Sequence, residues 1–206
     1  LSETDASIFI QRHLLEDLEL SGVVVGHDFA FGKGREGNVS MLKDMSKGKG
    51  MELLVVNPQL SNSGSLYSSR SIRELLQSGR PEEAANILGR WWSISGEVIK
   101  GAQRGRELGY PTANIKLGNY IQPSLGIYAV WVKVEGKEQW HEGAASLGIR
   151  PTFDGGEVLL EVYLLDYNGD LYGKRLNVAF IKYLRPEEKF IDVESLKKQM
   201  DIDCKK

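Results

Sequence analysis

The stretch Gly96-Glu-Val-Ile-Lys-Gly-Ala-Gln-Arg-Gly-Arg-Glu-Leu-Gly-Tyr-Pro-Thr-Ala-Asn114 is the part of the chain on which both fold and chemistry depend. Its glycines recur at every fourth position, at Gly101, Gly105 and Gly109. Glycines allow backbone N–H groups to turn inward onto a bulky anion. No Gly-Lys-Ser/Thr follows, so the stretch is not a Walker A loop, and the glycine spacing excludes a dinucleotide fingerprint.

The stretch closes on Pro111-Thr112-Ala113-Asn114, which predicts a metal-binding corner. Thr112 and Asn114 are two residues apart, so on an extended segment their side chains face the same side. A hydroxyl and an amide oxygen are hard ligands that suit Mg²⁺ holding water and phosphate. The alternative is a glycine-rich turn followed by a strand, in which both side chains satisfy turn backbone.

Downstream, short strands alternate with turns. Strands are predicted over Tyr128 to Val134, Val158 to Leu165 and Leu176 to Tyr183, with a hairpin turn at Asn168-Gly169. Asp192 is predicted to cap a final helix. Several strands at this spacing predict a small barrel or sandwich.

Upstream, the pattern predicts an α/β arrangement. Asp5 to Leu20 has helical spacing of apolar residues, and Val23 to Val25 and Met51 to Asn57 are predicted strands. A helix feeding an apolar strand is typical of a parallel sheet. The loop Gly26 to Gly32 leaves the strand where ligands bind in such sheets. It is either a nucleotide-contacting loop or an ordinary glycine-rich turn.

Glu161 is the candidate for acid–base chemistry. In the strand Val158 to Leu165 it lies between Leu159 and Tyr163 on one face. Acidic residues are rarely buried unless they are paired, so this position is unusual for a purely structural strand. The alternative is a solvated carboxylate at an edge or rim.

The composition bounds the class of protein. The chain has 206 residues and a net charge of −2, which argues against a duplex nucleic-acid partner. No apolar run approaches the ~20 residues that span a bilayer. The single cysteine, Cys204, excludes an intrachain disulfide and fits the reducing cytoplasm. A first residue Leu1 suggests a fragment of a longer chain.

An ordered series of motifs resembles the riboflavin kinase family from Trp91 to about Asp203. The resemblance implies a mainly-β domain over residues 91–206, folded as a six-stranded Greek-key barrel with a C-terminal helix. The motifs are Gly96-x-Val98-x-x-Gly101-x-x-x-Gly105-Arg106-x-Leu108-Gly109-Tyr110-Pro111-Thr112-Ala113-Asn114, Gly126-Ile127-Tyr128-Ala129, Leu147-Gly148-Ile149-Arg150-Pro151-Thr152-Phe153, Leu160-Glu161-Val162, Asp170-Leu171-Tyr172-Gly173 and Leu184-Arg185-Pro186-Glu187-Glu188-Lys189-Phe190.

The resemblance implies transfer of the ATP γ-phosphoryl group to the ribityl 5′-hydroxyl of riboflavin, giving FMN and ADP. It implies Glu161 as general base and Thr112 with Asn114 as Mg²⁺ ligands, with FMN and FAD as products rather than prosthetic groups. Riboflavin and ATP are the expected partners, without nucleic acid or membrane. ATP contacts are expected at Gly101, Arg104, Gly105, Arg106, Gly109, Pro111 and Thr112, and flavin contacts at Arg185, Glu188 and Phe190.

Residues 1–90 resemble part of an FMN adenylyltransferase domain, an incomplete Rossmann-like nucleotidyltransferase fold. The family's Gly-x-Asp-Phe-x-Phe-Gly is present from Gly26 to Gly32, but Arg70 replaces a threonine of the later Ser-Ser-Thr-x-Ile-Arg. The family's His-x-Gly-His element is absent, so these 206 residues are expected to make little or no FAD. Two alternatives stay open: both activities in a longer native chain, or a catalytically silent flavin-binding regulatory module.

Overall fold

The computed structural model describes residues 3–60, 64, 66–101, 105, 109–150 and 156–205, except for the side chain of residue 150. The chain divides into two compact units, Leu1–Leu66 and Tyr67–Lys206. The predicted domain boundary at residue 90 stays a prediction. No helix in the described ranges is both long and apolar enough to cross a membrane.

The first unit combines short helices with a two-stranded parallel sheet. The predicted helix over 5–20 is helical but mainly of the π type, and the strand Gly22–Gly26 pairs in parallel with the strand Glu52–Val56, as predicted. The elements are α1 Ala6–Ile8, the π-helix Phe9–Asp17, β1 Gly22–Gly26, β2 Ala30–Phe31, the 3₁₀ turn Lys33–Arg35, β3 Gly37–Asn38, α2 Val39–Ser46 and β4 Glu52–Val56.

The second unit begins with two helices, α3 Ser69–Gln77 and α4 Pro81–Leu88. Ser68 caps α3 by accepting a hydrogen bond from a backbone N–H. Gly89 ends α4 in the left-handed conformation, at φ 74°, which glycine adopts without strain. The N–H of Ser124 donates to the carbonyl of Leu76 over 3.0 Å, so the end of α3 is tied to a loop of the following barrel.

The barrel has six antiparallel strands, which lie side by side in the order Ser93–Glu97, Arg175–Arg185, Gly126–Val134, Trp140–Arg150, Glu157–Leu164 and Thr112–Lys116. A bridge between Ile99 and Asn114 brings the two end strands together, so the sheet is nearly closed. This confirms the expected Greek-key barrel. The strands are β5 Ser93–Glu97, β6 Thr112–Lys116, β7 Gly126–Val134, β8 Trp140–Arg150, β9 Glu157–Leu164 and β10 Arg175–Arg185, followed by α5 Val193–Asp203, which Asp192 caps.

The inward-facing side chains of all six strands form one core. Tyr128 and Phe180 are its largest fully buried members, with their rings edge to face at 4.9 Å. The Tyr128 hydroxyl donates to the carbonyl of Ser124, which satisfies the one polar group of that ring. Burial of this continuous apolar surface is the main source of barrel stability.

The predicted hairpin at Asn168-Gly169 is wrong. β9 pairs with β6 and β8, while β10 pairs with β5 and β7. Both edges of β9 are already occupied, so the segment 165–174 crosses to a different part of the barrel instead of folding back. The chain turns earlier, at Leu165 and Asp166, where Asp166 has φ 52°. Strand pairing is decided by contacts far apart in sequence, which the Asn-Gly pair does not reveal.

Candidate functional site

Three polar side chains from neighbouring strands form a line across the outer face of the barrel. Asn114 on β6 lies directly opposite Glu161 on β9, and Glu161 lies directly opposite Ser146 on β8. Directly opposite residues of antiparallel strands point to the same face, with Cβ atoms about 4.5–5.5 Å apart. We call Asn114, Glu161 and Ser146 the polar row.

The side of the sheet on which the polar row lies follows from burial along β9. Leu160 and Val162 are fully buried, whereas Glu161 and Tyr163 are half-buried. This is the alternation expected from the sequence, with the carboxylate on the face away from the core. Thr112 shares the outer face because it lies opposite Tyr163. The hydroxyl, the amide and the carboxylate therefore lie on one surface.

The glycine-rich segment lies against this surface. A Cβ at Gly101 would lie 2.7 Å from the Cγ of Asn114, and a Cβ at Gly105 would lie 3.4 Å from Thr112 Oγ1. The chain therefore passes directly over the Asn114 amide, and the residue as a whole is only 7% exposed. The N–H of Ile99 donates to the Asn114 carbonyl over 2.9 Å and fixes this approach.

The predicted ATP contacts are only partly described. Pro111 and Thr112 line a cavity. Gly109 has φ +86°, a conformation that favours glycine. Gly101 and Gly105 lie beside the hydroxyl–amide pair, whereas Arg104 and Arg106 lie outside the described residues.

The cavity beside Thr112 has a volume of about 760 Å³. Val98 and Lys100 form one wall, and the crossover segment after β9, from Leu164 to Tyr172, forms another. The volume lies within the range of small-molecule sites. Lys100 was missed as a candidate by sequence reasoning, although it directly precedes the first glycine of the loop. Lys100 contributes a cationic side chain to the lining of this cavity.

The donor atoms present fit a hard divalent cation. The part of the chain described by the structure contains no group of three or more His, Cys, Asp or Glu residues that could hold a metal. Thr112 Oγ1 and Asn114 Oδ1 are neutral oxygens, which suits an ion that keeps most of its ligands from water and phosphate. The close backbone approach at Gly101 holds the Asn114 amide in place.

Among the residues predicted to contact flavin, Arg185 is held inside the protein. Its Nη2 and Nε lie 2.7 and 3.0 Å from Asp203 Oδ2, and its side chain is 12% exposed. Glu188 lies 4.0 Å from its Nη1, and the Phe190 ring lies 5.7 Å from its Cζ. The guanidinium group thus joins β10 to α5 and organises the segment between them. Flavin contact by these three residues stays a prediction.

Glu187 is a residue of this region that sequence reasoning missed. Ser146 Oγ donates to Glu187 Oε1 over 3.2 Å. A Cβ at Gly148 would lie 2.9 Å from Glu187 Cδ, so the exposed Glu187 carboxylate lies in a notch above Gly148 and would have to shift if a side chain were added there. Because Ser146 belongs to the polar row, Glu187 adds a second carboxylate beside Glu161. Its position directly after Pro186 in the C-terminal motif was the available signal.

Tyr110 links the end of the glycine-rich segment to α5. Its hydroxyl donates to Asp201, and its ring packs edge to face on Tyr163 at 5.2 Å. The hydrogen bond to Asp201, together with partial burial, raises the pKa of Tyr110 to about 12. Burial raises the pKa of the neighbouring Cys204 thiol, which favours its neutral form.

The loop Gly26–Gly32 of the first unit has a structural role. Phe29 and Phe31 stack at 5.3 Å, and the glycine at position 32, at φ +76°, packs against Ala6. Phe31 is buried in the core of that unit. Contact of this loop with a nucleotide stays a prediction.

The fold and the site together define a class: small Greek-key barrels that carry a hydroxyl, an amide and a carboxylate on the outer face beside a glycine-rich segment. The family model described as riboflavin kinase matches residues 88–206, and the model described as FAD synthetase matches residues 1–70. The first match covers more than half of the chain, so the chain belongs to the riboflavin kinase family.

Individual proteins agree with this assignment. A bifunctional riboflavin kinase/FMN adenylyltransferase of Haemophilus influenzae is 38% identical over 202 residues, which are 98% of this chain and 65% of that protein. The protein so described from Escherichia coli (strain K12) is 36% identical over 198 residues, 96% of this chain and 63% of its own length. This chain therefore spans slightly less than two thirds of these relatives.

Among solved structures, one described as a macrolide-efflux protein from Streptococcus pneumoniae matches with a TM-score of 0.82 and 32% identity. The match covers 98% of this chain and 64% of that one. The description names an activity different from that of the riboflavin kinase family, and the family assignment does not depend on it.

Proposed function

We propose that this chain is a riboflavin kinase that transfers the γ-phosphoryl group of ATP to the ribityl 5′-hydroxyl of riboflavin. The observation that carries the proposal is the register of β6 and β9, which places Asn114 directly opposite Glu161. A phosphoryl transfer to an alcohol needs an acceptor for the hydroxyl proton beside a site for the phosphate charge. Here the two sites are cross-strand neighbours.

The nucleotide occupies the cavity beside Thr112, with Lys100 and the glycine-rich segment near its phosphates. Thr112 and Asn114 would hold Mg²⁺, which when bound would neutralise charge on the phosphate oxygens. These two side chains also fix where the terminal phosphate lies relative to Glu161. Most of the rate enhancement in phosphoryl transfer comes from such positioning and charge neutralisation.

Glu161 accepts the proton of the riboflavin hydroxyl. As that oxygen forms its bond to the γ-phosphorus, the bond from phosphorus to the ADP oxygen breaks, and the proton moves to the carboxylate. The products are FMN and ADP, released rather than retained as prosthetic groups. The reaction takes place in the cytoplasm, which supplies ATP and keeps a free thiol such as that of Cys204 reduced.

The test is Glu161→Gln, which keeps the size of the side chain and removes the base. We expect kcat to fall by about 10²–10⁴-fold, with KM for ATP nearly unchanged. The measurement is chromatography of flavin products from riboflavin, ATP and Mg²⁺. FMN without FAD is expected, because the 206 residues contain no His-x-Gly-His element.

Glu157→Gln is the matched control. Glu157 lies on the same face of β9 and forms an ion pair with Lys116 at 2.9 Å, at the far end of the strand. Its turnover should stay within about twofold of the wild type, because an exposed ion pair contributes little. Near-normal turnover in Glu161→Gln would refute the role of Glu161, and absence of FMN from the wild-type chain would refute the proposed function.

A further inference from the structure

A trough runs across the outer surface of the barrel, away from the polar row. Its volume is about 740 Å³. Beneath the trough, one row of directly opposite residues crosses four neighbouring strands. Ala179 on β10 lies between Ser93 on β5 and Trp131 on β7. Trp131 in turn lies opposite Glu142 on β8. Glu142 and Ser146 of the polar row are four residues apart on β8, or ~13 Å at ~3.3 Å per residue.

The trough has a floor of small residues and aromatic walls. Ser93 and Ala179 form the floor, with Trp91 on one side and Trp131 and Trp140 on the other. Trp131 and Trp140 are each 43% exposed. They occupy diagonal positions of β7 and β8, ~7–8 Å apart, which leaves their ring faces within reach of a flat ligand. In the described ranges none of the three indoles contacts another aromatic ring.

Asn177 lies in the same lining and has an unsatisfied acceptor. Its Oδ1 is buried without a hydrogen-bond partner, one of two such side-chain atoms in the described part of the chain. A buried acceptor without a donor loses its hydrogen bond to water and gains none in return, which is unfavourable. A ligand with an N–H group that reaches between the indoles would remove that cost.

The two ends of the trough carry opposite charges. Arg90 lies at the end next to Trp91, and Glu142 lies across the row on β8. Three strand spacings separate these ends, ~14 Å at ~4.8 Å each. No carboxylate of the described residues forms an ion pair with Arg90, whose Nη1 donates to the Trp91 carbonyl over 3.3 Å. An anionic group is therefore favoured at the Arg90 end and disfavoured near Glu142.

We propose that this trough is a second ligand site that binds a flat heteroaromatic phosphate ester, namely flavin mononucleotide. The ring system packs on the indoles of Trp131 and Trp140, a ring N–H donates to Asn177 Oδ1, and the phosphate pairs with Arg90. The choice of a flavin over other aromatic phosphates rests on the proposed function, whose product is FMN. The site itself rests on the trough.

Equilibrium dialysis of the 206-residue chain against FMN tests the proposal. The wild type is expected to bind two FMN per chain, and Trp131→Ala and Asn177→Leu are expected to bind one. Trp131→Phe, which keeps an aromatic face, should retain two. Turnover of riboflavin should be unchanged in all three variants. Asn177→Leu removes the unsatisfied acceptor, so its melting temperature should equal or exceed that of the wild type.

Two further probes identify the ligand. Riboflavin lacks the phosphate and should bind the trough at least about tenfold more weakly than FMN, while ADP should leave FMN in the trough undisplaced. One FMN per wild-type chain that Trp131→Ala retains, or two per Trp131→Ala chain, would overturn the proposal. Displacement by ADP would overturn the flavin assignment. Two bound FMN without any kinase turnover would instead support the trough while refuting the proposed function.

Discussion

In the unit Leu1–Leu66 the two-stranded sheet has one covered face and one exposed face. Val24 and Leu54 are 65% and 61% exposed, although their neighbours Val25 and Leu53 pack in the core. In the barrel, by contrast, six strands close nearly on themselves around a single core. Parallel sheets normally bury both faces. In the described part of the first unit, the face that carries the apolar residues Val24 and Leu54 is not covered.

The difference shows that the barrel has a closed core of its own, whereas the described sheet of the first unit does not. All strands of the barrel pair with other strands within residues 93–185. The three residues of the polar row lie on these strands. The site therefore depends on a self-contained core. The first unit has apolar strand residues facing solvent, and their substitution should cost little.

The largest expected effect is the contrast between Leu160→Ala and Leu54→Ala. Leu160 is fully buried in the barrel, so the first change should cost about 2–5 kcal/mol of unfolding free energy. Leu54 lies on the exposed face, so the second should stay within about 0.5 kcal/mol. All four tryptophans follow residue 66, so urea unfolding by tryptophan fluorescence reports the barrel, and far-ultraviolet circular dichroism reports both units.

Equal losses in the two leucine variants would break the comparison, because they would mean that the face carrying Leu54 is covered in solution. Val162→Ala is a second barrel control, since Val162 is also fully buried and points into the same core. It should lower the fluorescence midpoint in the same direction as Leu160→Ala, by a smaller amount because fewer atoms are removed.

Local patterns predicted much of the barrel. Alternation along β9 placed Glu161 on the face away from Leu160, and the structure has that arrangement. The three predicted strands correspond to β7, β9 and β10, and Asp192 caps α5 as expected. The resemblance to riboflavin kinases supplied the Greek-key topology, which local periodicity alone left open between a barrel and a sandwich.

What the sequence could not predict depends on pairing between distant segments. Nothing near Asn114 shows that its cross-strand partner is Glu161, and nothing near Asn168-Gly169 shows that both edges of β9 are occupied. The notch at Gly148 is formed with Glu187, which lies 39 positions further along the chain. The trough likewise combines residues from four strands and the segment before them.

A glycine substitution in each unit sharpens the comparison. Gly148→Ala introduces a Cβ where Glu187 lies and should displace that carboxylate from Ser146. Because small displacements beside a reacting group are costly, we expect kcat/KM for riboflavin to fall about tenfold or more. Gly22→Ala is the matched change in the first unit, where a Cβ would be 3.7 Å from the nearest atom, an ordinary contact. It should leave the kinetics unchanged.

Glu187→Gln separates positioning from charge. The amide keeps the size of the side chain and its hydrogen bond from Ser146, so a pure positioning role predicts near-normal kcat. A role through negative charge predicts a lower kcat. Wild-type kinetics in Gly148→Ala would show that the notch has no part in the reaction.

The smallest expected effect is a loss of stability of the second unit at high pH. Tyr110 has a pKa of about 12 in the folded chain, raised by its hydrogen bond to Asp201, against about 10 when unfolded. The folded state holds this proton more tightly, so the stabilisation is fully present below about pH 10 and is lost as pH rises toward 12. Burial raises the pKa of Tyr128 in the same direction. All eight tyrosines follow residue 66, so tyrosine ionisation affects only the second unit.

Tyr110→Phe isolates one part of this effect. The variant should be slightly less stable than the wild type at pH 8.5, and the two should converge near pH 12, where the wild-type hydroxyl has lost its proton. Urea midpoints of the fluorescence transition measure both differences. The effect is small, because Tyr110 is only partly buried and solvent screens its interaction with Asp201. A constant gap between the two proteins from pH 8.5 to 12 would contradict this account, because it would mean that the folded state does not hold the Tyr110 proton more tightly than the unfolded state.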